Sequence, residues 1–200
     1  MSEKPVLFNG EMVRAILDGR KTQTRRVIKP QPENRYIGGA TWKDMDKLFE
    51  QLIERDCPYG EPGDNLWVRE TWATPGNYDD IKPSLLPNSG ITKSDIAYRA
   101  TEEYGETYYK WRPSIFMCRW MSRINLQVKD VRVERVQDIS EADVLAEGCA
   151  LQSWGSDKPW PRTAGFAELW DSINEKRGGY GWATNPWVWV VEFEINNNSE

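Results

Sequence analysis

The longest uninterrupted apolar run in this chain has five residues, Trp187 to Val191. Every other apolar stretch is shorter, cut by charged residues, prolines or glycines. A helix that crosses a bilayer needs about 20 apolar residues, so no membrane span is expected. The pattern leaves short strands and short amphipathic helices. Around the run itself, Trp187–Ile195 carries β-branched and aromatic residues on both alternating faces, which predicts a strand covered on both sides. With 39% hydrophobic residues in 200, the chain has enough apolar surface for one core, and a single domain over 1–200 is expected.

Turn and cap signals divide the chain. Asn9 is placed to cap a helix whose stripe is Met12, Val13, Ile16 and Leu17, with Gly19 at its left-handed stop. Pro30 and Pro32 end the basic segment that follows. Residues 31–61 read as an insertion with a short helical stretch near Lys43–Ile53. Leu66–Trp72 alternates as a strand, with Leu66, Val68 and Glu70 on one face and Trp67, Arg69 and Thr71 on the other. Residues 73–94, rich in Pro, Gly, Asn, Asp and Ser, read as a surface loop, and a strand near Ile96–Arg99 follows. Ile124–Val136 reads as strand. Ser140-Glu-Ala-Asp143 is a capping box opening a helix that stops at Gly148. A loop bearing tryptophan and proline then leads to a second helix, Thr163 to Asn174. The tail 196–200 is polar and expected to fray. Helices do not alternate regularly with strands, so a doubly wound fold is excluded and a mixed sheet or partly open barrel is expected.

The chain contains no histidine. Ser-His-Asp and Cys-His catalysis and His-ligated zinc are therefore excluded, and proton transfer falls to Lys, Glu, Asp, Tyr or Cys. Three cysteines without CxxC spacing fit a reducing compartment. Met-Ser-Glu-Lys-Pro lacks the basic-then-apolar pattern of a signal peptide, so the expected location is the cytoplasm. Neither a metal nor a cofactor is expected. Asp143 and Glu147, four apart on a helix, are a weak pattern for a hard cation.

The net charge is −5, against a general nucleic-acid coat, but charge is unevenly placed. Gly19 to Pro30 holds Arg20, Lys21, Arg25, Arg26 and Lys29 with no acid, and Thr107 to Val128 holds Lys110, Arg112, Arg119 and Arg123 with none. If the two meet, they form a basic surface that also carries Trp111, Phe116 and Trp120; separately, each is equally a solvated face. Within the first stretch, Lys21 stands three residues before Thr24, a spacing that lets both face one pocket if the backbone turns there and separates them on a straight strand. A lysine crowded by Arg25 and Arg26 loses proton affinity and becomes usable as a base, and a neighbouring threonine hydroxyl is then a nucleophile. On pattern alone the simpler reading is a strand with its basic residues in water.

The stretch Gly19-Arg-Lys21-Thr-Gln-Thr24-Arg-Arg26 reads G-x-K-x-x-T-x-R after an amphipathic helix. With Gly63-Asp64-x-Leu66-x-Val68-Arg69-Glu70 and Ala146-Glu147-Gly148, it resembles the ASCH family, relatives of the PUA-like RNA-binding barrels, from about Lys4 to Ile195. Trp111-Arg-Pro-Ser114, Ser122-Arg123-Ile124, Phe166-Ala-Glu-Leu-Trp170 and Asn185-Pro-Trp-Val-Trp189 also resemble longer ASCH proteins of phages and prophages. The resemblance implies an α+β, PUA-like small mixed β-barrel flanked by short helices, with insertions at about 31–61 and 73–94. It also implies an amidohydrolase of N4-acetylcytidine-like nucleosides with Lys21, Thr24 and Glu147 as catalytic residues. Other members of the family bind or cut RNA, so a module binding a nucleotide or single-stranded RNA is an alternative. A phage-encoded factor meeting a protein partner through the insertions is another.

Glu70 lies on an apolar face and needs a cation such as Arg26 or Arg123, which is a salt bridge as readily as a catalytic group. Glu147 before a glycine stop is equally a solvent-exposed position. Arg26, Arg69 and Arg123 suit phosphate or carboxylate, and Trp67 suits base stacking or core packing. Arg26, Trp67, Arg69, Glu70 and Arg123 are thus the candidate substrate-binding residues.

Overall fold

The computed structural model describes residues 2–32, 42–102, 110–149 and 162–196. In chain order the elements are β1 (Glu3–Leu7), α1 (Gly10–Leu17), β2 (Gln23–Val27), α2 (Trp42–Asp56), β3 (Asn65–Arg69), β4 (Trp72–Ala73), β5 (Ala97–Tyr98), β6 (Asn125–Arg135), α3 (Glu141–Ala146), α4 (Arg162–Asn174) and β7 (Trp187–Ile195), joined by several 3-10 turns. Five strands make one mixed sheet in the order β1-β3-β6-β7-β2, while β4 and β5 form a small separate ribbon. β1 and β3 are parallel, and every other pair in the large sheet is antiparallel. This is the expected α+β class. Among the described residues no helix is long and apolar enough to cross a membrane.

The sheet is covered on both faces. On one, Val6, Leu66, Val68, Leu126, Val128, Trp189 and Val191 pack with Val13 and Ile16 of α1. On the other, Val188 and Val190 meet Val144 of α3 and Phe166 and Trp170 of α4. β7 thus buries both of its faces, as its composition predicts. From the residue before β6 onward the apolar positions run Ile124, Leu126, Val128 and then Val131, Val133. A bulge between Val128 and Asp130 inserts the extra residue that returns the later positions to the core face. Without it every side chain beyond Lys129 would point to the wrong side.

α1 begins as its sequence directs: Asn9 accepts a hydrogen bond from the Met12 N–H at 2.8 Å. Gly19 is left-handed with φ 71°. The expected stripe differs at one end, since Leu17 is exposed and Ala15 is buried instead. The Ala15 carbonyl then accepts from the Arg20 and Lys21 N–H groups, which turns the chain into β2.

Two expectations are corrected. The sheet is not closed into a barrel: β1 and β2 are its two edges and do not pair. A side chain spans the gap instead, with Arg26 Nη2 donating to the Leu7 carbonyl at 2.7 Å. Segment 73–94 is also more than a surface loop. Leu86 and Ile91 from it join Trp72, Ile96, Met117 and Met121 in a third apolar cluster. Its polar composition hides Leu86 and Ile91, with Tyr78 and Ile81 packed against the same cluster. In 31–61 the helix runs over Trp42–Asp56, longer than expected. Gly38-Gly39, the loop at 150–161 and the end of the tail lie outside the described residues.

Candidate functional site

Lys21 precedes β2 and forms an isolated antiparallel bridge with Glu147, the C-terminal cap of α3. The Thr22 N–H donates to the Ala146 carbonyl at 2.8 Å, and the Phe193 N–H donates to the Thr22 carbonyl at 2.9 Å. Gly148 makes this approach possible. Its φ is +82°, and an added Cβ would lie 2.9 Å from the Cβ atoms of both Ala15 and Lys21, closer than real Cβ atoms come.

Lys21 is wholly enclosed, and its ammonium donates to Glu147 Oε2 at 2.7 Å, to the Glu147 carbonyl at 2.9 Å and to the Gln23 carbonyl at 2.7 Å. All three of its hydrogens are therefore placed. Burial pulls its proton affinity below the ordinary lysine value of 10.5; Glu147 works against that and Arg26 adds to it. The direction agrees with the sequence expectation, but the main cause is desolvation rather than crowding by neighbouring arginines. Glu147 is used on one side only. Its Oε1 is buried and has no hydrogen-bond partner, with Arg25 Nη1 3.6 Å away.

Thr24 is paired with Val191 in the β2–β7 register, and Arg26 with Trp189, so both side chains face the core that holds Phe8. The Lys21 ammonium lies 5.5 Å from the centre of the Phe8 ring and the Arg26 guanidinium 5.2 Å from it. Lys21 is bonded to the Gln23 carbonyl that leads into Thr24, but its three donors go to Gln23 and Glu147 and none to the Thr24 hydroxyl. Thr24 is 1% exposed. A cleft of about 1110 Å³ opens between the segment Val27–Pro32, Trp189 and the Leu48–Leu52 side of α2, and neither Lys21, Thr24, Arg26 nor Glu147 lines it.

The opposite face of β2 carries what the motif did not flag. Gln23 and Arg25 point there by strand alternation, towards α3. Arg25 donates to Gln23 Oε1 at 2.5 Å, Glu134 Oε2 at 3.0 Å and Asp143 Oδ2 at 3.2 Å. Gln23 donates to Asp143 and Glu192, and Arg132 ties Glu134 and Glu192 together. Burial works against ionisation of Asp143, but bonds from Ser140 and Gln23 and the Arg25 charge hold it below the usual carboxylate range. Asp143 is thus occupied by cations of the chain itself. Among the described residues no group of three or more metal-ligating side chains is placed to hold an ion.

The remaining candidates sit apart from this pair. Glu70 is 1% exposed, and Arg123 grips both its oxygens at 2.8 and 2.9 Å. Arg123 also lies 4.1 Å from the Tyr98 ring centre and donates to Thr101 Oγ1. Trp67 is buried beneath Arg69, 4.6 Å from its ring centre, and Arg69 Nη1 makes a long bond to the Ile115 carbonyl. Phe8 links the two areas: its ring touches Lys21 and Arg26 while its N–H donates to the Arg69 carbonyl at 3.1 Å.

By its fold the chain is an α+β protein built on one open, mixed five-stranded sheet. No family model matches it, and no curated protein matches it. Among solved structures it is similar to a protein from Enterococcus faecalis V583 described by the family model DUF984, with 8% identity and a TM-score of 0.44 over 100% of this chain and 86% of that one. It is also similar to an ASCH domain from Lactobacillus crispatus JV V101, with 10% identity and a TM-score of 0.40 over 97% and 79%. Likeness of this degree leaves the chemistry to be argued from the side chains themselves.

Proposed function

We propose that this protein is a hydrolase of an N-acyl amide, with Lys21, Thr24 and Glu147 as its catalytic residues. The observation that carries the proposal is the half-used carboxylate of Glu147: Oε2 is bonded to a buried lysine of lowered proton affinity, and Oε1 is buried without a partner. A buried ion pair adds little to stability compared with apolar packing, and an unmatched buried oxygen subtracts from it. Groups arranged at such a cost are characteristic of reactive sites. The substrate class, a modified pyrimidine nucleoside such as N4-acetylcytidine, is what the sequence resemblance implies.

In the proposed reaction the pair shares one proton. With that proton on Glu147, neutral Lys21 takes the Thr24 hydroxyl proton as Oγ1 forms a bond to the acyl carbon. Glu147 gives its proton to the nitrogen, the C–N bond breaks, and the free amine leaves an acyl-threonine. A water then attacks the ester, Glu147 accepts its proton, and Lys21 returns the other proton to Thr24 Oγ1, releasing the carboxylic acid. Proton count and charge close over the cycle. Because Thr24 is buried, entry of the acyl group requires displacement of the packing above it.

Purified protein is expected to release acetate from N4-acetylcytidine or a related N-acyl nucleoside, and Lys21→Met or Glu147→Gln to abolish release. Activity surviving in Thr24→Ala would transfer attack to water. No release from a panel of N-acyl nucleosides, combined with salt-sensitive binding of short single-stranded RNA, would replace the hydrolase with a binding module.

A further inference from the structure

Arg25 lies outside the G-x-K-x-x-T-x-R positions, yet its side chain is as enclosed as that of Lys21. A guanidinium buried this completely is costly unless its bonds are supplied; here both Nη atoms find acceptors on three separate elements, while Nε has no partner. Gln23 belongs to β2, Glu134 to β6, and Asp143 to the first turn of α3. The fourth neighbour is Glu147 Oε1 at the other end of α3, at 3.6 Å. That separation is too long for a hydrogen bond but within range of strong charge attraction.

We infer that Arg25 is a positioning residue for Glu147, resting on the reading of Lys21 and Glu147 as the acid–base pair. One cation, Lys21, holds Oε2, while the second draws Oε1 to the other side without consuming it. The carboxylate plane is thereby fixed with one oxygen open. Glu134 and Asp143 hold Arg25 back from closing the last distance. The same guanidinium ties both ends of α3 to the sheet, so the helix cannot shift without moving the carboxylate. Lysine cannot replace it, because a single ammonium has no planar fork to reach acceptors on three elements.

The test compares full-length wild type with Arg25→Gln and Arg25→Lys. Both variants are expected to lose roughly 10- to 100-fold in kcat with KM changed much less, since small misplacement of a catalytic group has effects of that order. The alkaline limb of the pH profile is expected to move in both. A folded variant with lowered Tm but unchanged kcat and pH profile would overturn the proposal, because a purely structural arginine predicts that result. If both variants fail to fold, Glu134→Gln removes one anchor of Arg25 and is read in the same way. A second readout does not depend on turnover: the side-chain carboxyl resonance of Glu147, recorded at one fixed pH, should move in Arg25→Gln or Glu134→Gln as the carboxylate changes its orientation. An unmoved resonance overturns the proposal. Absence of amidase activity in wild type, with that resonance still moving, would overturn the hydrolase and leave the Arg25–Glu147 coupling standing.

Discussion

Two buried carboxylates, Glu147 and Glu70, sit at different corners of the same sheet, each facing a cation, and they are built differently. Glu70 is gripped on both oxygens by one arginine, whose own face is stacked on Tyr98 and whose remaining donor reaches Thr101. Arg123 is partly open to water, so its desolvation is modest and its geometry is nearly ideal. Glu147 instead meets a fully enclosed lysine on one oxygen and nothing within hydrogen-bond distance on the other. The first arrangement satisfies a charge and stops there. The second leaves one carboxylate oxygen without a hydrogen bond. On the proposed reading it is this unfilled bond, rather than burial or pairing, that sets Glu147 apart from Glu70.

The largest effects should come from breaking the Lys21 pair. Lys21→Met leaves Glu147 without its nearest counter-charge, and removing one partner of a buried pair costs about 3–5 kcal/mol. Amide hydrolysis should vanish, and urea titration should show the lower midpoint. Glu147→Gln should remove hydrolysis as completely with a smaller stability loss, because the amide oxygen still accepts from Lys21. Activity in either variant would end the hydrolase reading.

The Glu70 pair should respond the other way round. Arg123→Ala leaves the buried Glu70 carboxylate without its cation, and a loss of roughly 3 kcal/mol is expected. Hydrolysis per folded molecule should stay near wild type. A kcat that falls while the fold survives would place Arg123 in the substrate's path and erase the contrast between the two corners.

Lys21 also gives the contrast a pH signature. Its proton affinity in the folded state lies below the ordinary 10.5, so the unfolded chain holds that proton more tightly. Stability therefore rises with pH between the folded value and 10.5, and the deficit is full below the folded value. Lys21→Met should lack this alkaline rise in denaturant midpoint, whereas Arg123→Ala should keep it. An identical pH dependence in wild type and Lys21→Met would show that the lysine is not depressed.

The sequence makes local features of this contrast visible and hides the long-range ones. Asn9, Gly19 and the Ser140–Asp143 box declare helix ends because caps act within four residues. The alternation expected over Leu66–Trp72 puts Glu70 on the apolar face and calls for a cation, although β3 itself ends at Arg69 and Trp72 belongs to the separate ribbon. Lys21 and Glu147 stand 126 residues apart, and only the family-like motif pointed to both. Arg25 was legible only as one more positive charge. Its role needs the β2 face to be known, and the acid of the capping box, Asp143, was the available hint that something cationic waits opposite. The bulge in β6 and the open edge between β1 and β2 depend on register and curvature, which composition does not record.

The finest distinction can be drawn at Tyr98. Burial, opposed by Arg123 and reinforced by Glu70, pushes its phenol up to about 12, so it remains a neutral donor to the Met121 carbonyl at 2.7 Å across the ordinary pH range. Tyr98→Phe deletes that bond but keeps the ring under Arg123. The cost should be about 1 kcal/mol for a partly buried hydrogen bond and the carbonyl left behind, read as a small drop in Tm. Hydrolysis should not change, since neither the ring stack nor the Glu70 grip is disturbed. Should kcat fall while Tm barely moves, the Glu70–Arg123–Tyr98 corner would be sensed by the chemistry. The route of influence would then run through Phe8, whose N–H is bonded to the Arg69 carbonyl just before Glu70 and whose ring lies against Lys21.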